Sequence, residues 1–265
     1  SEMCIRDRVI VLMTSCGEYQ SLLKSNDYNL VYKKAIEYYN KGDYQRAMNL
    51  LDGVRSVFVG QAKAQNIAYY RAFCSYNMKD YQIASDLFKQ FIQTYPESSF
   101  AEECLYMMGF CDYKASPKPR LDQQVTEKAI REFQLYLSRY PYSMRKDKVN
   151  TYMDEMRDKL SYKAYLSAKN YYLREHYKAA VISLQNCLKD YPGSKYREEI
   201  MYMLFVSKYQ MAVNSVEDKK VERYNNAREE YYYFADEYPN SRYAADVKKM
   251  YEDIEAYLEN YKFED

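Results

Sequence analysis

Tyr81-Gln82-Ile83-Ala84, continued to Tyr95-Pro96-Glu97-Ser98, reads as the second helix of a helix hairpin that a proline stops. Its small residue, Ala84, stands twelve positions before Pro96, and the interval recurs from Ala129 to Pro141, Ala180 to Pro192 and Ala227 to Pro239. Each proline follows a tyrosine (Tyr95, Tyr140, Tyr191, Tyr238), and a serine lies two residues beyond each proline (Ser98, Ser143, Ser194, Ser241). Four copies of one spacing describe an array of like units. Such arrays stack hairpins into extended surfaces that bind rather than catalyse.

Outward from that stretch, helical periodicity and turn residues predict about five hairpins. The first runs from near residue 29, turns at Lys41-Gly42-Asp43 and continues from 44 to about 58, with Gly60 as its stop. The second covers 62–78 and 81–95. The third covers 99–114 and 125–140, split by Ala115-Ser116-Pro117-Lys118-Pro119-Arg120, which a helix cannot cross. The fourth has a long first helix, 145–174, then 177–191. The fifth covers 195–213 and 221–238, and a last helix, 242–261, shields the open face of the array. The domain reading is therefore residues 29–144 for repeats one to three and 145–265 for repeats four, five and the capping helix. Small residues sit where paired helices must approach closely: Ala35 and Ala47, Ala72 and Ala84, Gly109 and Ala129, Ala168 and Ala180, and Ala227.

Bulk properties narrow the function. The 265 residues carry 39 Lys and Arg against 38 Asp and Glu, a net charge of +1 that gives no electrostatic reason to expect nucleic acid. Six cysteines form no CxxC pair, and His176 is the single histidine, so no zinc-type ligand set is present. Neither a phosphate-binding glycine loop nor a nucleophile–base constellation appears, so no enzyme, metal or cofactor is expected. Tyrosine is abundant, at 35, with no tryptophan.

The tyrosines form a ladder. Three positions before the small residue stand Tyr32, Tyr69, Tyr106 and Tyr165; four positions after it stand Tyr39, Tyr76, Tyr113 and Tyr172. Seven residues is nearly two helical turns, so both rungs share one face of the first helix. Two readings fit: an aromatic groove for an extended peptide, or packing between neighbouring repeats. Asn40 and Asn77, one place further on, suit either a peptide backbone or a helix cap.

Residues 1–8 read as a translated sequencing-adapter scar. Val9-Ile10-Val11-Leu12-Met13-Thr14-Ser15-Cys16 then resembles the end of a bacterial lipoprotein signal, in which small residues precede the cysteine that is acylated. Cys16 is thus the expected lipidation site, with residues 1–15 as signal remnant and 16–28 as lipidated leader.

The hairpins with fixed small residues and a closing proline resemble the tetratricopeptide repeat, so the expected fold is an all-α tetratricopeptide solenoid. Behind a lipobox, the chain from Cys16 resembles the BamD family of outer-membrane assembly lipoproteins. The residues that carry the likeness are Glu18-Tyr19-Gln20-Ser21-Leu22-Leu23-Lys24-Ser25, Tyr95-Pro96-Glu97-Ser98-Ser99-Phe100-Ala101-Glu102, and 160–180 with its Tyr171-Tyr172 and Tyr177-Lys178-Ala179-Ala180. The tyrosine-rich style resembles the Bacteroidetes branch. The resemblance implies a scaffold at the periplasmic face of the outer membrane. It implies C-terminal repeats that hold a BamA-like β-barrel insertase, and N-terminal repeats that meet unfolded outer-membrane proteins. A pilus-assembly pilotin and a glycan-binding lipoprotein are the alternatives; the latter kind is generally larger and carries tryptophan platforms, absent here.

Overall fold

The computed structural model describes residues 17–261. A helix over 17–23, α1, precedes α2 (Tyr28–Asn40), α3 (Tyr44–Val54), α4 (Ala62–Asn77), α5 (Tyr81–Thr94), α6 (Ala101–Ala115), α7 (Gln124–Arg139), α8 (Lys146–Leu173), α9 (Tyr177–Asp190), α10 (Arg197–Val213), α11 (Glu217–Glu237) and α12 (Ala244–Tyr261). No strand occurs among the described residues. No described helix is long and apolar enough to cross a membrane.

The hairpins end as local chemistry dictates. A residue before proline is excluded from helical backbone, and Tyr95, Tyr140, Tyr191 and Tyr238 share one conformation, φ −130°, −127°, −132° and −132°. Each still donates its N–H to the carbonyl four residues back, so the helix closes without an orphan at that position. The following serine N–H returns to the tyrosine carbonyl at 3.0–3.2 Å. Each serine Oγ then accepts the N–H two residues on, in Phe100, Arg145, Tyr196 and Tyr243, and so starts the next helix. The same hydroxyl reaches back to the first helix of the preceding hairpin: Ser98 to Gln65, Ser143 to Glu102, Ser194 with Ser161, and Ser241 to Glu198. One serine per repeat thereby ties turn, next helix and previous hairpin together.

The turn inside a hairpin has its own rule. Gly42, Lys79 and Glu175 take left-handed φ of 81°, 68° and 59°. The next N–H, in Asp43, Asp80 and His176, bonds the carbonyl five residues back in Tyr38, Ser75 and Tyr171, the Schellman closure. Asp43 also caps α3 by accepting from the Arg46 N–H. The second helix of the first hairpin is shorter than its periodicity predicts: α3 stops at Val54, and turns lead to Gly60 at φ +77°.

The described residues divide into two compact units, 17–117 with 121–156 and 118–120 with 157–261. In the first, α2 to α7 pack each on the next, and Val149, Met153 and Met156 of α8 close its core. In the second, α9 packs on α10, α10 on α11 and α11 on α12. The interiors are built from the small residues: Ala35, Ala47, Ala72, Ala84, Ala129, Ala168, Ala180 and Ala227 are all 0% exposed. Gly109 is buried too, with the Phe133 ring against its α-carbon face.

Candidate functional site

The tyrosine ladder lies along the seams between successive first helices, and none of its eight members is exposed. In the first unit, Tyr32 packs on Phe58 with Lys63 of α4 over its ring. Tyr39 meets Tyr70 edge-on at 4.9 Å, and its hydroxyl lies 3.5 Å from the Asn77 amide that donates to it. Asn77 thus serves the seam from the last residue of α4, while Asn40 ends α2. Tyr69 packs on Phe100 and donates to Glu103 at 2.8 Å, both from the next hairpin. Tyr76 meets Phe110. Tyr106 lies against Tyr136, with Arg145 over its face at 4.8 Å. Tyr113 stacks on Tyr152 at 4.5 Å and donates to Glu155.

The second unit repeats the device. Tyr165 stacks on Tyr196 at 4.4 Å, and its hydroxyl accepts from Lys169, which also pairs with Glu199 at 2.7 Å. Tyr172 belongs to the clusters that join α9 to α10. Tyr202 stacked on Tyr243 and Tyr231 on Tyr251, both at 4.0 Å, carry the seam into α12.

Burial and neighbouring acids raise the pKa of seven of these phenols. Burial raises Tyr39 and Tyr172 to about 12, and the bond to Glu155 together with burial does the same for Tyr113. Tyr69 is raised by burial and then by Glu103. Tyr106, Tyr76 and Tyr165 rise for burial first. Those seven hydroxyls therefore stay protonated across the physiological range.

The charged residues that clasp the ladder carry a faint sequence signal. Glu103, Lys63 and Arg145 each stand within the first residues of, or just before, the helix that follows. A second polar group was hidden in the apolar pattern: Asp112 is 2% exposed in α6, accepts from Ser85 of α5 at 3.0 Å and pairs with Lys128 of α7 at 2.9 Å. Glu132 lies beside it, 3.6 Å from Lys128. An aspartate three places beyond Gly109, and a Lys–Glu pair around the Ala129 face, was the available clue.

Among the described residues no cluster of His, Cys, Asp and Glu could hold a metal ion. Cys74, Cys104, Cys111 and Cys187 are buried free thiols, and burial pushes Cys74 and Cys104 up to about 12. These are packing residues, not nucleophiles. His176 stands at the N-cap position of α9 without a side-chain capping hydrogen bond. Cys16 and the lipobox lie outside the described residues.

A family model described as YfiO, outer membrane lipoprotein, matches residues 24–199 and 163–264, which together span nearly the whole described chain. The chain belongs to this family. The YfiO family is the BamD family of the sequence resemblance, and its members are non-enzymatic outer-membrane lipoproteins. No curated protein matches the chain. Among solved structures, a TPR repeats protein from Bacteroides fragilis is similar at 13% identity, over 88% of this chain and 99% of that one, with TM-score 0.42. The TPR2AB domain of yeast Sti1, solved as a complex with pHSP90, is similar at 14% identity, over 86% of this chain and 98% of that one, with TM-score 0.39.

Proposed function

We propose that this YfiO-family chain is a lipid-anchored periplasmic scaffold of the β-barrel assembly machinery. It holds a BamA-type insertase through its C-terminal repeats and receives unfolded barrel proteins at its N-terminal repeats. The observation that carries the reading is the family match across both units. Cys16 is the acylated residue; two or three chains, at about 0.8 kcal/mol per buried methylene, hold a protein that one chain holds only marginally. The half-buried edges of Tyr32, Tyr39, Tyr69, Tyr76 and Tyr113 remain the candidate contacts for an extended aromatic peptide. Their hydroxyls are largely committed to neighbours, so that contact is apolar ring area rather than hydrogen bonding.

Affinity capture from detergent-solubilised outer membranes tests the proposal. The full chain should recover a barrel insertase, and a chain lacking residues 197–261 should not. Recovery of a secretin or a sugar transporter in its place overturns the reading. Cys16→Ala should move the protein from the membrane to the soluble fraction; unchanged fractionation removes the anchor.

A further inference from the structure

In the first unit, α5 and α7 both pack on α6. They leave between them a cavity of about 360 Å³. Its walls are apolar: Leu105 and Met108 of α6 form the floor, and Ile92 and the half-exposed Leu135 form the sides. Its rim is cationic. Lys89 of α5 and Arg131 of α7 line it, are exposed, and take no ion-pair partner among the described residues.

The one acid that lines the cavity does not neutralise this rim. Glu132 turns Oε1 to Lys128, 3.6 Å away, and Lys128 is itself held by Asp112. The other oxygen, Oε2, is buried without a hydrogen-bond partner.

The same gap recurs elsewhere and differs there. Over α10, between α9 and α11, Lys208 is spent on Glu230 at 2.6 Å, and Arg223 on Ser215 and the Met211 carbonyl. Over α4, between α3 and α5, Arg71 is spent on Asp52, which leaves only Arg55 at that rim. Of these three gaps, the α5–α7 one alone carries two cations without an ion-pair partner around an apolar floor, so the hairpin fold does not require them.

We infer that the α5–α7 groove docks an acidic amphipathic helix of a protein partner, with apolar side chains over Leu105 and Met108 and carboxylates on Lys89 and Arg131. Helix-in-groove docking supplies apolar anchors at turn spacing, and the charges set orientation and encounter rate. The site is separate from the tyrosine seam, and its test does not depend on the insertase.

The test is fluorescence anisotropy of the full chain with a labelled helical peptide of about 18 residues, acetylated and amidated, with leucines at i, i+4 and i+7 flanked by glutamates. A twin peptide replaces the glutamates with lysines. The acidic peptide should bind about ten-fold tighter than its twin and weaken with salt. Lys89→Glu with Arg131→Glu should reverse that preference, and Leu135→Asp should weaken the acidic peptide while circular dichroism melts stay unchanged. Equal affinity for both peptides, no binding, or an unaltered preference in the charge-reversed variant overturns the inference. So does binding to phosphatidylglycerol vesicles in place of the peptide, or a dimer in sedimentation that Leu135→Asp disperses.

Discussion

Gly109→Ala should destabilise the third hairpin, although alanine is the better helix former. A β-carbon placed at Gly109 would stand 2.9, 3.0 and 3.3 Å from Cδ1, Cε1 and Cγ of Phe133. Carbon pairs prefer about 3.5–4.0 Å, so the ring must retreat by roughly half an ångström or more. It has nowhere to go: Phe133 is 0% exposed and lies between Tyr106 at 6.3 Å and Tyr152 at 5.9 Å. Overpacking of this kind costs about 1–3 kcal/mol, against about 0.8–1.0 kcal/mol gained from helix propensity. The expected net loss is up to about 2 kcal/mol. The second hairpin tolerates Ala72 at the equivalent position, with Phe88 at the place of Phe133, so the third has closed onto a missing methyl rather than excluded alanine in principle. Repeat arrays unfold in parts, so the assay is hydrogen exchange resolved to α6 and α7 alongside urea midpoints. Phe133→Leu supplies the control: in that background Gly109→Ala should become neutral or stabilising, because the clash is gone and the propensity remains. If Gly109→Ala stabilises the wild-type chain, or if the two substitutions add without coupling, the close-approach argument is wrong.

Glu132 gives a pH prediction. Burial foremost, then the neighbouring Asp112 carboxylate, raise its carboxyl to about 8, with Lys128 pulling the other way. The folded chain therefore keeps a proton that the unfolded chain releases near 4.3. Its stabilising contribution is complete below about 4.3 and is lost as pH rises through about 8, with a slope of at most ~1.4 kcal/mol per unit. Glu132→Gln should flatten urea midpoints between pH 5 and 9; parallel curves for the two proteins refute this. Ser143→Ala removes an acceptor for the Arg145 N–H and a donor to Glu102, and should cost about 1–2 kcal/mol, read as faster exchange in the first turn of α8. Lys79→Gly should raise stability by about 0.5–1 kcal/mol, because Lys79 holds φ 68°, whereas Gly42→Ala should lower it by about 1 kcal/mol from φ 81°.

The hairpins were legible because their punctuation is local. Proline disfavours helical backbone in the tyrosine before it, and the serine two places on accepts the N–H two residues further along, so four turns share one geometry. The small residues were legible for a related reason: a helix crossing tolerates little bulk, and alanine or glycine recurs at eight burial points and one close approach. The end of α3 was not, because no proline marks it, and apolar periodicity continued through Val57 and Phe58 after the helix had stopped.

The polar groups were harder to place, since they depend on what faces them across a seam. A tyrosine at helical spacing looks the same whether a peptide or the next repeat covers it. What decides is the partner some 34 residues on: Glu103 under the Tyr69 hydroxyl, or 30 on from Lys169 at Glu199. Asp112 follows the same logic. Alone in α6 it would be an unpaired buried charge and strongly destabilising; Ser85 from the preceding hairpin and Lys128 from its own second helix make it tolerable. That dependence ties neighbouring hairpins together. A substitution at Lys128 should therefore release α5 as well as α7, and exchange rates in both helices should rise together if the cluster is a joint between repeats rather than a feature of one.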